Sequence, residues 1–127
     1  MNILAVVVSA AVTLLVSGAY YAALGSRLAQ LSPAYAGPRR PAPVTAVVEL
    51  VRGGIVAAAI AFLVAGLGIG GLGQAVGLAL VLWFAFPAVL LAGSVFHERV
   101  PVALATIHAG DWLLKLVLIT GIVTIWS

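Results

Sequence analysis

Cysteine is absent from the chain, which removes disulfides, thiolate nucleophiles and Cys-ligated zinc or iron–sulfur centres and leaves no mark of the redox compartment. Charge is nearly as scarce. Three acids and six bases make up 7% of the 127 residues, against about 25% in soluble domains, so an ordinary globular protein is excluded. The net charge of +3 rests on bases too few and too scattered for a nucleic-acid footprint. Neither GlyXaaSerXaaGly nor HisGluXaaXaaHis occurs, so the chain carries no signature of serine hydrolysis or of a metalloprotease. The reading is a non-enzymatic protein with no metal and no cofactor.

What is present is apolar: 65% of the residues are hydrophobic, in successive long runs. A run of about 20 residues spans the roughly 30 Å hydrocarbon core at 1.5 Å per helical residue. The spans predicted are about Ile3 to Leu24, Val44 to Gly66, Gly73 to Phe96 and Pro101 to Trp126. The first lacks the basic flank of a signal peptide and is longer than its apolar region, so it is read as a retained helix. The tract 25–43 holds Pro33, Pro38, Pro41 and Pro43 with three arginines and reads as a loop, partly polyproline-like. GlyLeuGlyIleGlyGlyLeuGly, residues 66 to 73, reads as a tight turn. Its GxGxxG spacing lacks the preceding strand that a dinucleotide site requires.

The expected architecture is therefore all-α: one domain over residues 1–127, a polytopic membrane protein with four transmembrane helices in a bundle. Arg27, Arg39, Arg40 and Arg99 fall in the first and third loops, while the second loop and both tails lack Lys and Arg side chains. By the positive-inside rule those two loops are cytoplasmic and both termini lie on the non-cytoplasmic side. Trp126, Tyr20 and Tyr21 stand where an aromatic belt would place them, although the tyrosines suit packing between helices equally well.

Small residues recur every four positions: Ala5, Ser9, Thr13 and Ser17, then Gly53, Ala57, Ala61 and Ala65, then Gly73 and Gly77. Membrane helices associate through close backbone approach, so these read as packing seams, within the monomer or in a homo-oligomer. Pro87 interrupts the third span and predicts a kink, either a packing bend or a hinge that exposes a carbonyl.

The sharpest anomaly is ThrIleHisAlaGlyAspTrpLeuLeuLysLeu, residues 106 to 116. Insertion scales charge about 2.5 to 3.5 kcal/mol for an Asp or Lys at a helix centre. With Glu49 and Arg52, the Asp111 and Lys115 charges would cost on the order of 10 kcal/mol if left apart, so they are expected to face inward and pair. His108, Asp111 and Lys115 fall within about a 60° arc of one helix, and Glu49 and Arg52 share a face of another. Counting from the helix starts puts Glu49 roughly 8 Å deep, His108 and Arg52 roughly 10 to 12 Å, Asp111 roughly 15 Å and Lys115 roughly 21 Å. The matching depths predict an Arg52–Asp111 contact, Glu49 near His108, and Lys115 reaching back to Asp111.

Three roles remain open for this cluster. It can be an ionic lock that fixes how helices two and four meet, or a pathway for protons or ions in which His108 changes charge near neutral pH. It can also be a ligand site; haem would need an axial ligand, and His97 and His108 lie at different depths. His97, Glu98 and Arg99 form either a solvated cap or the cytoplasmic mouth of that pathway. The expected function is a proton- or ion-linked permeation or transport component. The rival is a non-catalytic accessory or scaffold membrane protein with another membrane protein as partner. A membrane enzyme acting on a lipid or polyprenyl substrate is weakest, because the first loop offers no acid.

AsnIleLeuAla at the start, SerGlyAlaTyrTyrAlaAlaLeuGly, TrpPheAlaPhe, and HisAlaGlyAspTrpLeuLeuLysLeu leading to GlyIleValThrIleTrp together resemble the small bacterial membrane proteins grouped as DUF1761. The family's usual Trp-Tyr at the end of helix one stands here as Tyr20 and Tyr21. The resemblance spans nearly the whole chain and implies a four-helix, multi-pass protein of a bacterial inner membrane, embedded in the lipid bilayer. It implies no activity.

Overall fold

The computed structural model describes residues 2–37 and 40–126; Pro38 and Arg39 of the first loop lie outside them. Its elements are helices α1 (Ile3–Ala23), α2 (Gly25–Leu31), α3 (Ala42–Leu67), α4 (Leu72–Trp83), α5 (Val89–Glu98) and α6 (Val102–Ile125). A 3-10 turn covers Pro33–Tyr35, and a π-helical turn, Phe84–Ala88, joins α4 to α5. Four stretches are long and apolar enough to cross a membrane: α1, α3, the continuous Leu72–Glu98, and α6. This is the make-up of a multi-pass membrane protein. Phe62, Phe84 and Phe96 are among the large apolar side chains left outside; acyl chains would cover there what water could not.

Local chemistry explains the ends. Asn2 caps α1, its Oδ1 accepting from the Leu4 and Ala5 amides at 3.0 and 3.3 Å. α3 begins two residues earlier than expected, because Pro41 and Pro43 suit a first turn that needs no proline N–H. It ends in a Schellman motif: Gly68 adopts φ +67, its amide donates to Ala65 O, and the Ile69 amide donates to Val64 O at 3.0 Å. Arg99 turns α5 toward α6 with φ +57, an unusual conformation for a residue with a Cβ. At Pro87 the helix widens into the π turn, which accommodates the missing amide where a kink was expected.

The tract 25–43 departs from the expected loop. GlySerArgLeuAlaGlnLeu is rich in helix formers, and α2 forms there with Leu28 buried. Ser32 then caps the 3-10 turn, accepting at Oγ from the Ala34 amide. Proline density stops a longer helix but leaves two short ones, and these carry Tyr35 back over the end of the molecule.

α6 is the hub, packing against α1, α3 and the α4–α5 span, while α1 packs along α3. The core between them is Ala57, Ile60, Ala61, Val64, Ala79, Leu116, Ile119 and Val123. Asn2 Nδ2 donates to the Trp126 carbonyl at 2.9 Å, so both chain ends stand at one end of the molecule. Ala5, Ser9, Thr13 and Ser17 are all buried, and a Cβ added to Gly53 would meet Thr13 Oγ1 at 3.3 Å and the Ala10 Cα at 3.6 Å. Ala57 is fully buried on the same face. The third seam turns the other way. Gly73 and Gly77 are exposed, and Ala75 and Ala79, two residues or about 200° around the helix, face α6 instead. Trp83 sets that rotation by donating from Nε1 to the Ala109 carbonyl at 2.9 Å.

Opposite Trp83, the Tyr20 hydroxyl donates to the Ile107 carbonyl at 2.8 Å, lying where a Cβ on Gly110 would come within 2.5 Å of its oxygen. Gly110→Ala is therefore expected to destabilise by about 1 to 3 kcal/mol, as overpacking does. Gly18→Ala, with open space around it, should gain up to about 1 kcal/mol of helix propensity. Thermal unfolding of the two variants in detergent checks the contrast.

Candidate functional site

Asp111 lies near the middle of α6 and is 2% exposed. Its Oδ1 accepts from Ser17 Oγ at 2.5 Å. Its Oδ2 stands 2.9 Å from Lys115 Nζ and accepts from the Tyr21 hydroxyl at 3.4 Å. Lys115 follows one turn later, so its stem folds back along the helix; the ammonium also lies 4.9 Å from the Trp112 ring centre. Ser17 reaches Asp111 because it is the last rung of the small ladder on α1, where the two backbones come close.

Tyr21, one turn on from Ser17, carries the network outward. Its hydroxyl is 2.7 Å from His108 Nδ1, and the Tyr35 hydroxyl is 3.5 Å from His108 Nε2. Burial, and after it the Asp111 charge, raise the Tyr35 hydroxyl above its ordinary pKa and keep it protonated. On the other side, Glu49 Oε2 stands 4.0 Å from Lys115 Nζ, and Glu49 Oε1 accepts from Arg52 Nη1 at 2.7 Å. The charges thus form a chain, Asp111–Lys115–Glu49–Arg52, of alternating sign.

These groups wall a cavity of about 840 Å³ between α1, α3 and α6, which also reaches Tyr35 and Arg40 of the first connection. A second cavity, of about 520 Å³, lies among Asn2, Ala61, Val64 and Trp126 at the end where the termini meet. The two cavities share no lining residue, and on α3 Ile60 of the apolar core falls between Val56 of the larger and Ala61 of the smaller.

Lys115 meets Asp111, as the spacing predicts, but Arg52 does not: its side chain is 56% exposed and pairs within its own helix. Equal depth says nothing about azimuth. Glu49 lies a four-residue step before Gly53 and turns its carboxylate toward Lys115 of α6, whereas Arg52 sits one residue, about 100°, from Gly53. Glu49 meets Lys115 rather than His108, whose ring nitrogens face Tyr21 and Tyr35. His97, Glu98 and Arg99 are exposed at the end of α5 and line neither cavity; α5 packs on α6 rather than on α1 or α3, and the His97 ring meets Phe96 instead. Ser17, Tyr21, Tyr35 and Trp112 were not singled out for the cluster from sequence. For two of them a signal exists, since Ser17 and Tyr21 continue the four-residue ladder and so share the inward face. Among the described residues no three His, Cys, Asp or Glu side chains come together as a metal site.

Lys115→Met strands the buried carboxylate and is expected to destabilise by about 3 to 5 kcal/mol. Combining it with Asp111→Asn should cost less than the sum of the two single changes, by about 1 kcal/mol or more. Arg52→Gln, at the exposed end of the chain of charges, should stay within about 1 kcal/mol. Unfolding of the four variants in one detergent measures the coupling.

A comparison with curated proteins and with solved structures finds no match. A family model described as a protein of unknown function, DUF1761, matches residues 4–124. That match runs through both halves of the cluster, Ser17 and Tyr21 on α1 and His108 to Lys115 on α6, and the chain belongs to the DUF1761 family.

Proposed function

We propose that this protein is a proton-linked permeation or transport component of the membrane. The observation that carries the reading is a cavity that brings one end of the molecule to a buried carboxylate. An ionisable group at that depth marks an ion or proton pathway by default, and here it is joined to the cavity by a line of exchangeable protons. With a proton on Nδ1, His108 donates to the Tyr21 oxygen and Tyr21 donates to Asp111 Oδ2. Imidazole is the side chain suited to loading such a line near neutral pH.

Beyond Asp111 the two cavities share no lining residue, and apolar core side chains such as Ile60 fall between their walls along α3. A permeation protein needs such a barrier, since an open pore would dissipate the gradient. By the positive-inside rule, the larger cavity opens to the cytoplasmic side of a bacterial inner membrane and both termini lie outside. Gly73 and Gly77, outward on α4, offer a face where a second copy can approach closely.

A scaffold role is favoured by one observation: Ser17 and Lys115 already satisfy Asp111, as a packing lock requires. Liposome flux separates the two. Purified protein should carry protons with a rate that titrates over about pH 5 to 8. Asp111→Asn and His108→Ala should each lower that rate at least about tenfold while the protein remains folded, the scale on which general acid–base groups act. Absence of flux at every pH, with variants that fall apart, would replace the pathway with the lock.

A further inference from the structure

We propose that the larger cavity binds an amphiphilic organic monoanion, a carboxylate or phosphate on an apolar body, with the anionic group held by the remaining donors of Lys115 and Arg52 on the cavity side of Glu49. The inference rests on the transport reading for its consequence but not for its binding site. Four features point to this chemistry.

The acids are committed and the bases are not. Asp111 is closed off by Ser17, Tyr21 and Lys115. Glu49 gives one oxygen to Arg52 and turns the other toward Lys115. Lys115 makes one close ion pair, at 2.9 Å, and its second carboxylate stands at 4.0 Å, beyond hydrogen-bond reach. That leaves the ammonium with donors to spare on the wall of the cavity that Lys115 lines. Arg52 uses Nη1 on Glu49, and its guanidinium retains further donors on a side chain that is 56% exposed. Arg40, which forms no ion pair among the described residues, also lines it, so the cavity walls carry three bases, Arg40, Arg52 and Lys115, against two acids, Glu49 and Asp111.

Arg52 is also deep. It lies ten residues, roughly 15 Å, beyond the start of α3, on the wall of the cavity, where its half-exposed guanidinium has one carboxylate partner and donors left for a second anion. Part of the wall is apolar, with Leu14, Val56, Trp112 and Ile119 lining the same space. A pocket of this size with few polar groups on one side is the usual form of a site for a small amphiphile. Finally, the first turns of α3 are exposed around most of their circumference, Val44, Val47, Val48 and Val51 among them, so an apolar body can enter from the side of the bilayer.

The consequence is coupling. An anion on Lys115 competes with Asp111 for the same ammonium. As Lys115 turns toward the ligand, the Asp111 carboxylate loses its counter-charge and takes one proton, from solvent at His108 by way of Tyr21, so that ligand and proton move as a neutral pair.

The test is binding, read from Trp112 emission in phosphatidylcholine nanodiscs, with octanoate and octyltrimethylammonium as matched probes and Trp112→Phe as the signal control. Octanoate should bind saturably and at least about tenfold more tightly than the cation, and Arg52→Gln and Lys115→Gln should each weaken it about tenfold, the effect of one charge-assisted hydrogen bond. Arg52→Gln leaves the buried network intact, so its result stands even where Lys115→Gln fails to fold. Equal binding of the two probes, no saturable binding, or an unchanged affinity in Arg52→Gln overturns the proposal. Nanodiscs doped with phosphatidic acid identify the source: competition with octanoate supports a lipid headgroup as occupant, and no competition supports a free organic anion. Octanoate binding without proton flux keeps the ligand site and removes the transport reading, whereas proton flux without octanoate binding does the reverse.

Discussion

A carboxylate in the middle of an apolar helix is tolerable only when its charge is met, and the structure follows from how Asp111 is met. Lys115 supplies the countercharge from one turn away, which binds the pair to a single helix and leaves α6 free to rotate. Ser17 and Tyr21 then select the rotation, because their hydroxyls complete the carboxylate only when α1 lies against this face. Hence the ladder of small residues on α1: without Ala5, Ser9 and Thr13 beneath it, Ser17 would not approach α6 closely enough.

The rest of the molecule supports that contact. Tyr20 and Trp83 hold the Ile107 and Ala109 carbonyls of α6, both in the turn just before Asp111. Gly53 lets α3 reach α1 at the level of Thr13, while the half of α3 nearer the arginines stays exposed and borders the cavity. Close packing at one end and a wedge at the other are two results of the same seam, which is small from Gly53 to Ala61 and polar or charged at Thr45 and Glu49.

Much of this is legible in the amino-acid sequence itself. The four spans follow from hydropathy and length alone, and the Lys115–Asp111 pair follows from a four-residue step. The seam on α1, and that on α3 as far as Ala61, have small residues in a four-residue rhythm on an inward face, but Ala65, which continues the rhythm, is exposed. What the sequence hides is azimuth between helices. Arg52 and Asp111 sit at similar depth yet face different ways, and the outward turn of Gly73 and Gly77 depends on where the Trp83 indole finds a carbonyl. The helix inside the proline tract was obscured by its neighbours, because Pro33 and Pro41 mark breaks without saying what lies between them.

Because the chain has no native cysteine, a thiol can be placed at will, and access to the Asp111 level can be read directly. Single substitutions Gly18→Cys and Ala46→Cys line the larger cavity, and Ile60→Cys lies in the apolar layer beyond it. A membrane-impermeant thiol reagent should label the first two from the arginine-bearing face only, and Ile60→Cys from neither face. Labelling of Gly18→Cys and Ala46→Cys from the opposite face, or from neither, would contradict a water-accessible cavity leading to the buried carboxylate.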